Sequence, residues 1–445
     1  MESVPQRPGE SSAQDAILTI LHEQANALAR STGFIVRQRQ LSGASFASLL
    51  ILGWLHDPEA SLDALVQFGS SLNVQISAQG LDQRFTIPAA VFLKALFEVA
   101  LSQVVMADPV AIPLLNRFEE VTLEDSTSFG LPDELAGMFE GCGGSGPQDG
   151  LAACQLHLRY DARHPGVQLS DLQDGRAADC ATPLLHVPAK AGSLEIRDRG
   201  FFDLERMRGE REQGRSHLSY LKGGVGLRTP CGQPLSLLCL LRGQPGPLDT
   251  EVLVGEAGLP MRLLAVSVPA EVVAERRERL IQKAKKHGRA ASHEQMLLCA
   301  WTLALTDVPR SLLSLPEALV LLRLRWQIEL LIKLWKAQGK TDEWRSHKPW
   351  RILCELSAKL IGVLIQHWLR LSSRWDEPHR SLVKAAKAVR SHAIMLAYAL
   401  VEALSLPFVL EQLCRAAKHG SRLHPRKKRP TTSQLLLAGS DGRAR

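Results

Sequence analysis

The stretch from Leu315 to Lys340 constrains the fold most, because it predicts one long helix with charges set in an apolar background. Pro316 suits the first turn of a helix, and good helix formers follow it. Arg325, Glu329 and Lys336 are spaced so that, at about 100° per residue, they share one stripe of this helix. An Arg–Glu pair at this spacing is also common on exposed helices, where it contributes roughly 0.3–0.5 kcal/mol. On this stretch alone, a surface ion pair and a functional site both remain open.

Length and composition indicate a globular protein of several domains. The chain has 445 residues, of which 45% are hydrophobic, and it contains no run of 18 uncharged apolar residues. The N-terminus is polar and of mixed charge, unlike a secretory signal. The eight cysteines are scattered without a C-x-x-C pair, which argues against structural zinc. These features predict an intracellular protein without a membrane span.

The net charge of +7 is unevenly distributed. Residues 1–115 contain six Lys or Arg and ten Asp or Glu, whereas residues 415–445 contain nine basic residues and one acidic residue. A second basic block, residues 275–289, contains seven basic and two acidic residues. Clustered cations are typical of surfaces that bind a phosphate backbone. A solvated helix face and a solvated tail remain equally acceptable interpretations of the two blocks.

The first 115 residues predict a helical domain. Helical periodicity covers 13–30, 45–56, 60–70 and 87–105. Between the last two segments, a Gly-Ser break is followed by a second predicted helix that starts near Ser77. This outline suits a helix-turn-helix that reads DNA, although any small helical bundle produces it as well.

From Arg117 the pattern changes to short alternating runs that are typical of strands. One predicted strand ends at Asp125, and another ends at Asp198 before a helix. Strands with attached helices predict an α/β core, and strand-like runs between Gly/Pro turns from 223 onward predict a β-rich insertion within it. The predicted divisions are a helical N-terminal domain (1–115), the first part of the core (116–214), the insertion with its basic helix (215–298), the second part of the core (299–345), a helical C-terminal domain (346–417) and a basic tail (418–445).

Three carboxylates are the candidates for chemistry: Asp125, Asp198 and Glu329. Polar residues at strand ends often line a site at the edge of a sheet. Carboxylate oxygens suit one or two Mg²⁺ ions, and two such ions can activate an attacking hydroxyl and stabilise a leaving oxygen in phosphoryl displacement. No His lies beside a credible nucleophile motif, so a hydrolytic triad does not compete.

The sequence around these residues resembles that of the cut-and-paste DDE transposases of the insertion-sequence-four family. Asp125 lies in LEDSTSFGLPDEL and Asp198 in IRDRGFFDLERM, each similar to one aspartate segment of that family. Arg325, Glu329 and Lys336 match the family signature Tyr-x₂-Arg-x₃-Glu-x₆-Lys at every spacing. The resemblance extends over nearly the whole chain.

One position departs from the signature, because Leu322 occupies the place of the tyrosine. A leucine cannot hydrogen-bond to phosphate, so the resemblance is incomplete in the group that grips the terminal phosphate.

The resemblance implies an RNase H-like catalytic core interrupted by the β-rich insertion, with helical N- and C-terminal domains. It implies that the three carboxylates bind two Mg²⁺ ions, for which Mn²⁺ would substitute. Arg325 and Lys336 would hold a DNA phosphate near the cut, and Trp301 would stack on a flipped base.

The implied function is transposition of an insertion sequence. The enzyme would cleave the transposon ends, form and reopen a DNA hairpin, and transfer the strand into target DNA. Its partners would be double-stranded DNA, both terminal inverted repeats and target, and a second copy of the chain bound through 346–417. It would work in the bacterial cytoplasm on the nucleoid. A catalytically impaired DNA-binding descendant and a stand-alone RNase H-like nuclease are the alternatives.

Overall fold

The computed structural model describes most of the chain, in mixed α/β form. The described residues are 12–37, 41–103, 105, 110, 112–143, 150–178, 182–186, 190–286, 288–372, 380–422 and 431–439. The chain divides into two compact units. The first comprises Met1–Ala111, Asp125–Val187 and Trp326–Gln434, and the second comprises Ile112–Glu124, Pro188–Arg325 and Leu435–Arg445.

The N-terminal part of the first unit is helical, as its periodicity predicts. Its helices are α1 (Ala13–Leu18), α2 (Ala25–Ser31), α3 (Gly43–His56), α4 (Leu62–Gly69), α5 (Ala78–Asp82) and α6 (Ile87–Ser102), and a π-helical segment, Thr19–Gln24, joins the first two. The hydroxyls of Ser42, Ser61 and Thr86 each accept a hydrogen bond from the backbone N–H three residues further on, which determines where α3, α4 and α6 begin.

The predicted helix–break–helix outline is present in α4 and α5. Ser77 caps α5 as the sequence indicates, by accepting a hydrogen bond from the backbone N–H of Gly80. α5 is only five residues long, little more than one turn. Its role as a DNA reader stays a prediction.

The C-terminal part of the first unit is also helical. Its helices are α12 (Trp326–Gly339), α13 (Pro349–Ser372), α14 (Leu382–Ser391), α15 (Ala393–Leu400) and α16 (Leu406–Gly420). α17 (Thr432–Gly439) lies within the predicted basic tail, whose segment 425–430 falls outside the described residues.

Helix α13 is the central helix of the first unit. Pro349–Leu371 is long and apolar enough to cross a membrane by length and composition, but its most apolar window is entirely buried inside the protein. It also contains a buried ion pair, Glu355–Lys359, with Nζ and Oε1 2.7 Å apart. Lys359 donates two further hydrogen bonds, to the carbonyls of Lys340 and Glu343 just after α12. These features are those of a core helix that holds the end of α12 in place.

The strands of the first unit follow the order β3-β2-β1, and β4 pairs with β2. They are β1 (Val121–Leu131), β2 (Ala152–Asp161), β3 (Gly166–Leu169) and β4 (Gln173–Asp174), and β1 begins in the second unit. The prediction that this strand ends at Asp125 is wrong, because the strand continues to Leu131. Thr127, Phe129 and Leu131 are buried at alternate positions, so the period of two simply persists through the polar residues.

The second unit is built on a sheet of order β1-β5-β6-β10-β9-β8-β7. Its further strands are β5 (Leu194–Arg197), β6 (Ser216–Tyr220), β7 (Leu227–Arg228), β8 (Leu248–Val254), β9 (Leu259–Ser267) and β10 (Trp301–Thr306). β1, β5 and β6 run parallel, with Leu123 opposite Ile196. β10, β9, β8 and β7 continue the sheet as antiparallel neighbours. β5 ends at Arg197, one residue before the predicted end at Asp198.

Five helices accompany this sheet: α7 (Leu204–Glu212), α8 (Leu237–Leu241), α9 (Ala270–Lys286), α10 (His293–Leu298) and α11 (Leu315–Leu324). α7 begins after Asp203, whose carboxylate accepts hydrogen bonds from two backbone N–H groups of the first turn. A cluster of apolar residues from β6 to β10 and the neighbouring helices forms the core on one face of the strands.

The predicted single helix from Leu315 to Lys340 is two helices. α11 ends at Leu324 and α12 begins at Trp326, with Arg325 between them. No glycine or proline marks this break, so helical periodicity alone does not reveal it.

Candidate active site

In the second unit, two of the predicted site residues come together. The Arg325 Nε lies 3.9 Å from Asp198 Oδ1, although the two residues are far apart in sequence. The Asp198 side chain is 44% exposed and the Arg325 side chain 16% exposed. In this arrangement the exposed carboxylate can bind a cation while the largely buried guanidinium binds the phosphate that the cation accompanies.

In the first unit, Lys336 joins α12 to β1. Its Nζ donates a hydrogen bond of 2.9 Å to the Ser128 carbonyl and lies 5.3 Å from the centre of the Phe129 ring. Phe129 and Asp125 share one face of β1, because side chains alternate along a strand. Lys336 and Glu329 share one face of α12, because they are seven residues apart. Lys336 therefore holds α12 against β1 at Ser128 and Phe129.

Glu329 and Lys336 on α12 are similarly exposed but have different ionic neighbours. The Glu329 side chain is 27% exposed, and the exposed Lys333 lies 3.8 Å from its Oε2. Burial lowers the pKa of Lys336, an effect that the Asp342 carboxylate at 3.8 Å opposes. Lys336 is thus a partly buried cation held against the strand, and Glu329 is a partly buried carboxylate beside an exposed lysine.

The three predicted ligands have the oxygen chemistry that a divalent metal prefers. Asp125, Asp198 and Glu329 offer hard oxygen atoms, and each of these side chains is at least partly exposed. Asp125 and Glu329 belong to the first unit and Asp198 to the second. Over the parts of the chain that the structure describes, no three His, Cys, Asp or Glu side chains form a ready metal cluster.

Trp301 and Leu322 occupy covered positions in the second unit. Trp301 is the first residue of β10, and its half-buried ring packs against the apolar cluster. Leu322 is 2% exposed, in the interior. A different tryptophan, Trp326 at the start of α12, is 52% exposed, and the Lys333 Nζ lies 5.7 Å from its ring centre. Sequence reasoning did not single out Trp326.

Sequence reasoning also missed a buried ionic network directly behind the strand ends. Arg197, the residue before Asp198, donates from Nε to Glu124 Oε2 at 2.9 Å. Its two Nη atoms donate to Glu210 at 2.6 and 2.7 Å, and one of them lies 3.3 Å from Glu195. Glu124 in turn is the residue before Asp125, so this one guanidinium links the segments that lead into both aspartates.

The network is balanced in charge. Arg206 donates to Glu124 at 3.0 Å and to Glu210 at 3.1 Å, and the Arg215 Nη1 lies 3.4 Å from Glu210. Three guanidinium groups thus meet three carboxylates: Arg197, Arg206 and Arg215 with Glu124, Glu195 and Glu210. One sequence signal could have revealed this network. The residues that precede the two aspartates, Glu124 and Arg197, have opposite charges and lie in strands that are otherwise largely apolar.

The network fixes the protonation of its members. Burial alone would raise the pKa of Glu210, but hydrogen bonds and charge from Arg197 lower that pKa to about 2. Burial and the neighbouring Arg197 lower the pKa of His217, whose Nε2 lies 3.3 Å from Glu210. Glu210 is therefore ionised in the fold, and the neutral form of His217 is favoured.

The class of protein follows from comparison with known families. The profile of the transposase DDE domain matches residues 116–365, more than half of the chain. All six predicted site residues lie within this range. The chain belongs to this family and is a DDE transposase, an enzyme that acts on DNA.

Its relatives are transposases of bacterial insertion sequences, which is consistent with the insertion-sequence-four assignment. The chain is 26% identical to the transposase for insertion sequence element IS231F of Bacillus thuringiensis subsp. israelensis, over 92% of this chain and 91% of the relative. It is 27% identical to the IS231C transposase of subsp. berliner, over 76% and 75% of the two chains. The putative transposase InsL for IS186A of Escherichia coli (strain K12) is 26% identical, over 77% of this chain and 91% of the relative.

Proposed function

We propose that this transposase cuts the ends of an insertion sequence with Asp125, Asp198 and Glu329 as ligands for two Mg²⁺ ions, and joins the freed end to target DNA. The observation that carries this proposal is the short distance between Arg325 and Asp198, because the arginine of the transposase signature then lies beside the second aspartate. The register of β1 with β5 supports it, since Leu123 lies opposite Ile196 and each aspartate follows two residues later in its segment.

Each residue has a distinct role in the proposal. The three carboxylates hold the ions, and the bound ions supply activation of the attacking hydroxyl and stabilisation of the leaving oxygen. Arg325 offers a bidentate fork to the phosphate beside the cut, and Lys336 offers a point charge. Because Lys336 donates to the Ser128 carbonyl in the free protein, we expect it to exchange that acceptor for phosphate when DNA binds.

The reaction sequence consists of two kinds of displacement at phosphorus. Water first cleaves a P–O bond at the transposon end and leaves a 3′-hydroxyl. That hydroxyl then attacks a phosphodiester of the opposite strand, where a new P–O bond forms and the bond to the flanking 3′-oxygen breaks, giving a hairpin. Hydrolysis reopens the hairpin before strand transfer. The β-rich segment, residues 215–298, acts in this proposal as an insertion within an RNase H-like core.

The test is cleavage of short duplexes by the purified chain with Mg²⁺ or Mn²⁺. The substrates are the inverted repeats that flank the reading frame and a scrambled duplex of equal length. We expect nicks at the repeat terminus only. Equal cutting of both duplexes would favour a stand-alone nuclease. Tight binding without cleavage would favour the catalytically impaired DNA-binding protein.

Trp301 is proposed to stack on the flipped base during hairpin formation. We expect Trp301→Leu, which retains an apolar side chain against the cluster but removes the aromatic ring, to slow hairpin formation about tenfold, since stacking contributes on the order of 1–3 kcal/mol per base. The first nick should keep its rate. Hairpin rates are measured by gel at matched folded fractions, with Trp326→Ala in parallel. Slowing by Trp326→Ala alone would assign the stacking role to that exposed ring instead.

Cutting two ends together requires two chains, and we propose that the C-terminal helices provide the contact. α13 is buried within the first unit, so the available surface lies on α14, α15 and α16, where Val383, Tyr398 and Phe408 are exposed. We expect Phe408→Asp to shift the end-DNA complex from two chains to one in sedimentation. The matched change Glu411→Asp, on the same helix, should leave two chains per complex.

A further inference from the structure

Helix α9 lies on the second unit without burying a single residue over its length of 17 residues. Its half-buried side chains fall on one narrow stripe, and they are Val273, Arg276, Arg277, Leu280 and Ala284. A helix packed this shallowly gains little from the hydrophobic effect, so its remaining surface is free for another purpose.

The basic residues on the inner stripe anchor the helix. Arg276 donates to the Trp301 carbonyl at 2.8 Å and to Thr302 Oγ1 at 3.0 Å, both on β10. Arg277 donates to the Met296 carbonyl on α10 at 3.1 Å. Two of the cations in the basic block are therefore explained by attachment of α9 to its neighbours.

In the part of the chain that the structure describes, the outer cations form no such contacts with neighbouring elements. From Arg279 to Arg289 the chain contains five Lys or Arg and no Asp or Glu. Lys283, Lys285 and Lys286 are exposed, and among the described residues they form no ion pair. The exposed Arg279 lies 3.4 Å from Glu275 on the same helix, and the helix dipole favours the three lysines of the last turn. Each effect contributes at most about 1 kcal/mol, so neither accounts for a run of five cations without a carboxylate.

We propose that the outer face of α9 binds the phosphate backbone of duplex DNA without regard to sequence. Arg279 to Lys286 span about 10 Å of helix axis. Over that length a duplex presents about six phosphate charges, so several cations can each displace a counterion. The proposal rests on the proposed function only in taking DNA as the substrate.

A membrane surface is the other polyanion that basic helices bind, and it fits α9 less well. Such helices insert a broad face rich in Trp, Phe or Leu. The large hydrophobic side chains exposed on α9 are Val272 and Ile281, and the helix contains no aromatic residue. Charge, not apolar area, is what α9 offers to a partner.

The test uses the full chain with Lys283, Lys285 and Lys286 all changed to Gln. Binding to terminal-repeat and scrambled duplexes is measured by fluorescence anisotropy between 50 and 200 mM salt. We expect the slope of log K against log[salt] to become shallower by about two to three on both duplexes, since each lost phosphate contact removes about 0.9. A control with Lys190, Arg208 and Arg242 changed to Gln alters the net charge equally and should retain the wild-type slope.

An unchanged slope in the α9 variant, or an equal change in the control, would overturn the proposal. So would loss of binding to vesicles of equal phosphatidylcholine and phosphatidylglycerol without a change in DNA binding. Failure of the wild type to nick terminal repeats would count against the catalytic proposal alone, because the salt slope reports backbone contact whether or not the strand is cut.

Discussion

Replacing Glu329 with glutamine is expected to reduce nicking at the transposon end by at least about a thousandfold and to leave end binding intact. Glutamine retains the size of the side chain but removes the negative charge that holds a divalent ion. Loss of a metal that stabilises several kcal/mol of transition-state charge corresponds to this factor, at 1.36 kcal/mol per tenfold. Single-turnover cleavage of a labelled repeat duplex measures the nick, and gel shift in Ca²⁺ measures binding.

Asp198→Asn should reduce nicking in the same way, because the neighbouring Arg325 is a cation and cannot replace the lost carboxylate as a metal ligand. The matched control is Glu343→Gln, which removes an exposed carboxylate paired with Lys340 shortly after α12. Its nicking rate should stay within about twofold of wild type. If Glu329→Gln nicked within tenfold of wild type, Glu329 would not be a ligand and the catalytic assignment would have to change.

The second large effect is expected on stability, from Arg197→Met. The change leaves Glu124, Glu195 and Glu210 with one cation too few in a buried site. Removing one partner of a buried ion pair costs about 3–5 kcal/mol, a large part of the free energy of unfolding of an ordinary domain. Arg197→Lys restores one charge but not the fork, so it should recover only part of the loss. Urea unfolding followed by circular dichroism measures both.

The control for this variant is Arg208→Met on α7, where the arginine is exposed. A surface change of this kind should alter the free energy of unfolding by less than about 0.5 kcal/mol. Equal stability of Arg197→Met and Arg208→Met would mean that solvent reaches the network and screens it. Because Arg197 and Glu124 each precede a predicted metal ligand, we also expect Arg197→Lys to nick slowly at temperatures where it stays folded.

The same network gives stability a defined dependence on pH. The folded-state pKa of Glu210, about 2, lies below its ordinary value of 4.5, so its contribution is present above pH 4.5 and is lost as the pH falls toward 2. The pKa of His217 is also lowered, so the unfolded chain takes up its proton first as the pH falls below 6.5, which again disfavours the fold. Glu210→Gln should flatten the acid limb of the unfolding curve.

Local signals predicted most of the elements that the structure contains. Cap residues such as Ser42 and Thr86 act on backbone groups three residues away, and Asp203 acts on the turn it begins, so neighbouring sequence is enough to indicate where helices start. Alternation predicted β5 with an end at Asp198, one residue beyond the observed end at Arg197. The same signal did not predict how far β1 runs, because serines and a threonine fit a half-covered strand as well as a loop.

The sequence by itself predicted the α/β core, and its resemblance to the insertion-sequence-four transposases predicted the class of this protein and the carboxylates and cations of the signature. These predictions are possible without coordinates because alternation and motif residues are properties of the chain. Only the tertiary structure divided the Leu315–Lys340 stretch at Arg325, placed that guanidinium beside Asp198 and buried Leu322. It alone assembled the network around Arg197, because charges from β1, β5, α7 and Arg215 just before β6 neutralise one another only when the chain brings them together.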